Sequence, residues 1–227
     1  MLGCRSTLVL ARHADDETLG AGGTLLRLRN QGSSIHWGLM TIPVGAGYSQ
    51  GYIDTHEEQV QAVNTAFGFE TMQRLSYPAS SLADQPFGAI VDRLRKIAAD
   101  LRPEVVLIPH SGDAHDDHGI TARAAWAAFK SFRMTELGVR SLYAMEILSE
   151  TGASVAGHVD PFRPTTIVDI SAYAERKIEI FSLYRSEITQ TGPRSLGALR
   201  AQSTLHGGEY GFGAAERFSC LQHIEPD

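Results

Sequence analysis

The chain has little of what several classes of protein depend on. Its two cysteines, Cys4 and Cys220, stand near opposite ends without the spacing of a metal-binding pair, which favours a reduced pair over a disulfide. The net charge is −6 and the sequence contains no block of Lys or Arg, which argues against nucleic acid as a partner. No apolar run approaches the ~18 residues of a membrane span, and the N-terminus lacks the pattern of a signal peptide. We therefore expect a soluble, cytoplasmic protein.

What the sequence does contain is a regular alternation of short apolar runs and amphipathic segments. The runs predict strands at residues 7–10, 35–42, 72–77, 104–109, 141–148 and 165–170, and the segments predict helices at 19–30, 55–67, 86–101, 120–128 and 172–184. Alternating strands and helices are typical of βαβ units, so we predict a Rossmann-like α/β fold with a mostly parallel sheet flanked by helices. The length fits one domain over residues 1–227, with two small domains as the alternative.

Two clusters of histidine and acidic residues stand where strands of this sheet are predicted to end. Residues 13–17 read His-Ala-Asp-Asp-Glu after the first strand, and residues 113–118 read Asp-Ala-His-Asp-Asp-His after the fourth. In the common doubly wound order 3-2-1-4-5 these strands are neighbours, and ligands bind in the crevice beyond their carboxyl ends. Because imidazole and carboxylate groups bind metal ions and transfer protons, the clusters predict a zinc-dependent hydrolase.

Each cluster offers groups for different parts of a hydrolysis. The two adjacent aspartates of the first cluster diverge, so one can bind an ion while the other faces a bound water. His115 and His118 share one face of a helical turn, so one can bind the ion while the other acts on the carbonyl or the leaving amine. A neighbouring carboxylate, Asp117 or Asp113, would orient the free imidazole.

Taken singly, the two clusters also fit ordinary structural roles. Acidic residues at 15–17 suit the N-terminus of a helix, and residues 113–118 alone are consistent with a solvated loop. A calcium loop starting at Asp113 would need Gly at position 118 and Glu at 124, where the chain has His118 and Ala124. The sequence has neither a P-loop nor a Gly-x-Ser-x-Gly elbow.

Both clusters belong to longer motifs. Residues 11–23 read Ala-Arg-His-Ala-Asp-Asp-Glu-Thr-Leu-Gly-Ala-Gly-Gly, and residues 113–118 fit the pattern Asp-x-His-x-Asp-His. These motifs resemble those of the PIG-L/LmbE-like family of zinc-dependent N-deacetylases, and the likeness extends to about residue 133. The two prolines usual in the first motif are replaced by Arg12 and Ala14. Ala14 frees a backbone torsion before the acidic pair, and Arg12 adds a cation that we expect near the mouth of the site.

The resemblance implies a role for each polar residue of the two motifs. The implied ligands of a catalytic Zn²⁺ are His13, Asp16 and His118, and Asp15 is implied as the general base for the water that zinc activates. His115 is implied to stabilise the oxyanion or protonate the leaving amine, with Asp117 orienting it. A set of two histidines and one aspartate also accepts other divalent ions.

The part of the chain from about residue 150 is expected to vary within the family and to shape the substrate site. We expect Arg194 and His206 in this part, together with Arg12, to contact the substrate, and the Gly-rich loop 45–51 is a further candidate. The predicted function is removal of an acetyl group from an N-acetylated amino sugar of the N-acetylglucosamine type or its conjugate. The alternatives are a metal-dependent amidase or phosphoesterase acting on a sugar conjugate, and a non-catalytic sugar-binding module. The sequence leaves open the exact substrate and whether the protein is a homo-oligomer.

Overall fold

A computed structural model describes residues 1–45, 47–155 and 157–225 of the chain. The strands are β1 (Ser6–Ala11), β2 (Ser34–Ile42), β3 (Thr71–Pro78), β4 (Val105–Pro109), β5 (Ser141–Met145), β6 (Thr166–Asp169) and β7 (Ala215–His223). The helices are α1 (Asp16–Asn30), α2 (Gln50–Phe67), α3 (Phe87–Leu101), α4 (Asp116–Ala128), α5 (Ser131–Leu137), α6 (Ala174–Phe181) and α7 (Leu196–Gly208), and a short 3₁₀ turn covers Leu82–Asp84.

The seven strands form one sheet in the order β3-β2-β1-β4-β5-β7-β6. The first five strands of that order are parallel, and β7 runs antiparallel to both β5 and β6. This confirms the predicted Rossmann-like, mostly parallel sheet. It also confirms that β1 and β4 are neighbours, with Thr7 opposite Val105, so the two clusters follow adjacent strands.

Apolar side chains on alternate faces of the sheet build a core on each side. In β1, Leu8 and Leu10 face the layer of α3, α4 and α5, while Val9 and Ala11 face the layer of α1, α2, α6 and α7. All four are completely buried, as is usual for a central parallel strand covered on both faces. The polar clusters are therefore the first groups beyond a fully apolar strand.

Glycines in α1 let this helix lie close to its neighbours. A Cβ atom on Gly23 would lie only 2.7 Å from Ile170, and one on Gly20 would lie 3.0 Å from Ile147 and Met145. The N-terminus of α1, which carries the first cluster, is therefore held against β5 and the segment after β6.

Three elements escaped the sequence prediction, namely α5, α7 and β7. The C-terminal strand β7 was missed because Glu216 and Arg217 interrupt its apolar pattern, although Glu216 is buried in the structure. The two cysteines are both free, in line with the expected reduced pair. Among the described residues, none of the helices combines the length and the apolar composition that crossing a bilayer requires.

Candidate active site

The two predicted clusters meet at the carboxyl ends of β1 and β4. Each cluster forms the start of a helix, because Asp15 is the N-cap of α1 and His115 is the N-cap of α4. Nε2 of His118 lies 3.4 Å from Oδ2 of Asp16, although the two residues are about a hundred positions apart. The rings of His13 and His115 pack edge to face with centroids 5.5 Å apart.

His118 is completely buried and is held by a second carboxylate. Its Nδ1 lies 2.8 Å from Oδ2 of Asp113, and Oδ1 of Asp113 accepts a hydrogen bond of 2.6 Å from the hydroxyl of Thr151. Asp113 thus orients His118, whereas the sequence suggested it as an orienting group for His115. Burial alone would lower the pKa of His118, but Asp16 and Asp113 beside it outweigh burial and raise that pKa.

Two side-chain atoms near each other have no hydrogen-bond partner within the described part of the chain. They are Nε2 of His118 and Oδ1 of Asp16, and both are buried. A buried polar atom left without a partner is costly, so such a pair fits a site that receives a ligand. An imidazole nitrogen and a carboxylate oxygen are ligands that a divalent metal ion accepts. These two residues therefore fit the predicted metal site.

The third predicted ligand, His13, is arranged differently. Its Nδ1 is in contact with Nη1 of Arg12, while its backbone N–H donates a hydrogen bond of 2.8 Å to Oδ2 of Asp16. Within residues 1–45, 47–155 and 157–225, no group of three His, Cys, Asp or Glu side chains has the geometry to hold a metal ion. The structure thus brings the three predicted ligands into one region without arranging them as a finished coordination shell.

Arg12 lies in the interior of the site, which corrects its expected position near the mouth. Its side chain is fully buried, and Nη2 lies 2.6 Å from Nε2 of His115 and 3.5 Å from Oδ2 of Asp117. The expectation failed because sequence alone does not give the direction of a side chain in the turn after a strand. Burial lowers the pKa of Arg12, while Asp16 and Asp117 oppose that effect. Burial, and after it the charge of Arg12, lower the pKa of His115.

Asp117 contacts His115 through its backbone. Its N–H donates to Nδ1 of His115 at 3.2 Å, which is the side-chain cap of α4. The carboxylate instead accepts a hydrogen bond of 3.1 Å from the backbone N–H of Leu82 and faces Arg12. The orienting contact predicted between the Asp117 carboxylate and His115 is therefore replaced by a main-chain contact.

Asp15 has an unusual environment for a charged residue. Its side chain is buried, and neither carboxylate oxygen has a hydrogen-bond partner among the described residues. The nearest cation is Nη1 of Arg194, at 3.7 Å from Oδ2. Burial, followed by the charge of Asp16, raises the pKa of Asp15 well above its ordinary value. Its backbone φ of 147° is a strained value for a residue with a side chain.

Glu17 holds this strained turn in place. One carboxylate oxygen accepts a hydrogen bond of 3.2 Å from the backbone N–H of Asp15, and the other accepts one of 2.9 Å from the hydroxyl of Tyr184. Burial raises the pKa of Glu17 to about 7. The sequence placed Glu17 in the cluster without a role, and no local pattern indicated Tyr184 as its partner.

A cleft of about 200 Å³ opens beside His13. Its other polar and aromatic walls come from Thr41, Tyr48, Tyr52, His56, Glu187 and Arg194. The rings of Tyr48 and Tyr52 stack with centroids 5.5 Å apart, and the Tyr52 hydroxyl donates to Glu187 at 2.8 Å. Arg194 donates to Glu187 at 3.2 Å and so joins this wall to Asp15. Of these groups the sequence predicted Arg194 and part of loop 45–51, in which Ala46 lies outside the described residues.

His206 lies away from this cleft. It is buried, and its Nε2 lies 3.0 Å from Oε2 of Glu146, which also binds Arg217. Glu146 and Arg217 line a separate cavity of about 490 Å³ together with His110 and Phe162. Burial alone would raise the pKa of Glu146, but His206 and Arg217 lower it to about 2. His206 therefore stands behind the wall of a second cavity.

Comparisons with known proteins relate the chain to deacetylases. The sequence profile of the PIG-L family, described as GlcNAc-PI de-N-acetylase, matches residues 8–129, which is more than half of the chain. A probable N-acetyl-alpha-D-glucosaminyl L-malate deacetylase 2 of Bacillus cereus is 22% identical over 193 residues, covering 81% of this chain and 84% of that protein.

Several solved structures share the fold. The conserved protein TT1542 from Thermus thermophilus has a TM-score of 0.76 at 27% identity, over 100% of this chain and 98% of that one. An N,N'-diacetylchitobiose deacetylase from Pyrococcus horikoshii has a TM-score of 0.74 at 19% identity, over 99% and 88%. A 4-carboxy-2-hydroxymuconate hydratase from Pseudomonas putida has a TM-score of 0.77 at 17% identity, over 98% of each chain. The last two likenesses concern the fold alone.

Proposed function

Because the chain belongs to the PIG-L family, we propose that it removes the acetyl group from an N-acetylated amino sugar, or its conjugate, by metal-assisted hydrolysis. Membership of the family confirms the resemblance drawn from the two motifs, and together with the Bacillus cereus relative it supports a hydrolytic N-deacetylase. The observation that supports the finer proposal is the meeting of His118, Asp16 and Asp15. Nε2 of His118 and Oδ1 of Asp16 are buried and have no hydrogen-bond partner among the described residues. The carboxylate oxygens of the adjacent Asp15 are also buried and also lack one.

We propose that His13, Asp16 and His118 hold the metal ion, with Zn²⁺ as the first candidate and other divalent ions as alternatives. The support is the pair of unpartnered atoms on Asp16 and His118 and the position of His13 beside them. The outer contact from Asp113 to His118 is of the kind that fixes a ligating imidazole. A bound divalent ion supplies a water of lowered pKa, near 7 instead of about 15.7, and polarises a carbonyl oxygen.

Asp15 is the proposed general base. Its oxygens accept no hydrogen bond from the described residues, so they can take a proton from the attacking water. The water oxygen then bonds to the acyl carbon, the C–N bond breaks, and the products are acetate and a free amine. The amine needs a proton as it leaves, and His115, whose ring is fixed by the N–H of Asp117, is the proposed donor or oxyanion partner.

An amino sugar is the proposed substrate because of the chemistry of the cleft beside His13. The stacked rings of Tyr48 and Tyr52 offer an apolar face to a pyranose ring, while Glu187 and Arg194 offer hydrogen bonds to hydroxyl groups. The named activities of two relatives, on a glucosaminyl malate and on diacetylchitobiose, support the same substrate class. We place Arg194 in substrate binding, whereas Arg12 and His206 are enclosed by other side chains.

The phosphoesterase and binding-module alternatives call for a direct test of the proposed reaction. The test is to load the protein with Zn²⁺ and to assay N-acetylglucosamine, its phosphate, its malate conjugate and diacetylchitobiose for free amine, acetate and phosphate. We expect amine and acetate in equal amounts from at least one compound, and no phosphate. Phosphate without acetate would support the phosphoesterase alternative. Binding of these sugars without any turnover would support the binding module.

A further inference from the structure

Arg12 is the most unusual residue of the candidate site. Its side chain is completely buried, and its guanidinium contacts Nδ1 of His13, lies 2.6 Å from Nε2 of His115 and lies 3.5 Å from Asp117. It therefore stands among residues of both clusters. Nothing in the proposed hydrolysis requires a permanent cation at this position.

The contact of Arg12 with His13 involves the same ring nitrogen lone pair that a metal ion would use. A guanidinium only donates hydrogen bonds, so a hydrogen bond between Arg12 and Nδ1 of His13 uses the lone pair of that nitrogen. That lone pair is then unavailable to a metal. His115 faces a similar conflict, because its Nδ1 already accepts from the N–H of Asp117 while Nε2 faces Arg12. A neutral imidazole has only one accepting nitrogen, so both contacts cannot be hydrogen bonds at once.

Charge explains why a guanidinium is nevertheless stable in this position. Five carboxylates of the two clusters are at least nine-tenths buried, namely Asp15, Asp16, Glu17, Asp113 and Asp117. Buried carboxylates need a nearby positive charge. Within the described part of the chain, the arginines that contact them are Arg12 and Arg194, and Arg194 reaches only Asp15. Arg12 thus provides positive charge that a divalent ion would otherwise provide.

Resting on the proposed function, in which this site takes a divalent ion, we propose that Arg12 is an internal competitor of that ion. In the metal-free protein its guanidinium compensates the buried carboxylates and engages Nδ1 of His13. Metal binding then requires Arg12 to leave His13, so the protein binds metal more weakly than it would with a neutral residue at position 12. We therefore expect the protein to keep its folded structure without a bound metal ion.

The test compares Arg12→Met, which keeps the length without the charge, with Arg12→Lys, which keeps the charge. Zn²⁺ affinity of each metal-free protein is measured by competition with a chromogenic chelator, and folding is checked by circular dichroism. We expect Arg12→Met to bind Zn²⁺ roughly tenfold or more tightly than wild type, because a positive charge within a few ångströms is removed. Arg12→Lys should stay close to wild type. Equal or weaker affinity in Arg12→Met, or equal gains in both variants, overturns the proposal.

Thermal unfolding gives a second measurement on the same proteins. We expect a chelator to leave the melting temperature of wild type unchanged, and Zn²⁺ to raise that of metal-free Arg12→Met by more than it raises wild type. If Arg12→Met does not fold without metal, crystals of wild type grown with and without Zn²⁺ decide. Arg12 still in contact with Nδ1 of His13 beside a bound ion would overturn the proposal.

The outcome separates this proposal from the proposed function. Tighter Zn²⁺ binding by Arg12→Met without acetate release from any N-acetyl sugar would sustain the role of Arg12 and refute the deacetylase. Acetate release by wild type with no gain in affinity would do the reverse. A lack of Zn²⁺ binding by every variant would overturn the role of Arg12.

Discussion

Asp15 concentrates the conflicting demands of the site in one residue. Its backbone is strained, its carboxylate is buried, and its two oxygens have no hydrogen-bond partner among the described residues. Each of these features opposes stability, and together they are typical of groups kept for chemistry. Glu17 accepts a hydrogen bond from the N–H of Asp15, and Arg194 forms an ion pair with its carboxylate. Such a residue is expected to matter more for turnover than for folding.

The first prediction concerns Asp15→Asn. We expect acetate release to fall by roughly 10²–10⁴-fold, because the amide cannot accept a proton from water. Zn²⁺ affinity should change little, since Asp15 is not a proposed ligand. The raised pKa means that ionisation at neutral pH opposes folding, so the variant should unfold at a higher temperature than wild type. Acetate release and differential scanning calorimetry measure the two effects.

Asp116 provides the matched control, because it lies in the second cluster but is exposed. Asp116→Asn should leave both acetate release and melting temperature close to wild type. Normal turnover by Asp15→Asn would refute the general-base role. Equal losses in both variants would point to a general effect of charge on the site.

At the level of single residues, the sequence predicted which residues lie together better than it predicted the contacts of their side chains. His13, Asp16 and His118 could be expected to meet, because each follows one of two strands that sit side by side in the common sheet order. The inward direction of Arg12 could not be predicted, since it depends on the turn after β1. Glu187 reaches the cleft only through tertiary packing, which no local pattern encodes.

At the level of elements, a buried ion pair between α6 and β7 holds the backbone of α1, the helix that starts at the site. Nζ of Lys177 in α6 lies 2.7 Å from Oε1 of Glu216 in β7 and also donates to the carbonyl oxygen of Leu19 at 2.9 Å. Glu216 accepts hydrogen bonds from the backbone N–H groups of Gly23 and Thr24, at 2.9 and 2.8 Å. The carbonyl oxygen of Leu19 and the N–H of Gly23 are four residues apart, which is the spacing of a backbone hydrogen bond in an α-helix. The pair therefore fixes the helix that begins with Asp16.

The second prediction is that Lys177→Met lowers the free energy of unfolding by about 3–5 kcal/mol, because it leaves Glu216 buried without its cation. Urea denaturation measures the change. Lys96→Met, at an exposed position of α3, should stay within about 0.5 kcal/mol of wild type. The double variant Lys177→Met with Glu216→Gln should recover part of the loss, since the unpaired charge is gone. Lys177→Met no less stable than Lys96→Met would contradict the argument.

The elements themselves were predicted where hydrophobic periodicity is strong. Helix α3 was predicted within one residue, because its buried residues Ile90, Val91, Leu94 and Ile97 recur at helical spacing. Strand β7 was missed because its first buried polar residue, Glu216, is stabilised by Lys177 from another element. Helix α7 was missed because its apolar pattern is weak, and its start depends on the hydroxyl of Ser195, which accepts from the N–H of Ala198.

At the scale of the whole molecule, the C-terminal elements are joined to the parallel sheet by charge. Glu146 follows β5, Arg217 lies in β7 and His206 lies in α7, and all three meet at distances of 2.6 to 3.0 Å. The same group walls the cavity of about 490 Å³. Acid that protonates Glu146 therefore weakens the attachment of two elements at once. This attachment gives the molecule a pH dependence that can be worked out with its sign.

The last prediction follows from the pKa of Glu146, which is lowered from 4.5 to about 2. An acid with a lowered pKa in the folded state stabilises the fold above its unfolded pKa, and this stabilisation is lost as the pH falls from about 4.5 towards 2. A shift of this size corresponds to about 3 kcal/mol at neutral pH. Glu146→Gln should therefore be less stable than wild type at pH 7, and the difference should shrink progressively below pH 4.5 in urea denaturation.

Glu58→Gln, at an exposed position of α2, is expected to follow wild type across the same range. A constant difference between Glu146→Gln and wild type from pH 7 to pH 3 would mean that the loss comes from packing and not from the charge of Glu146.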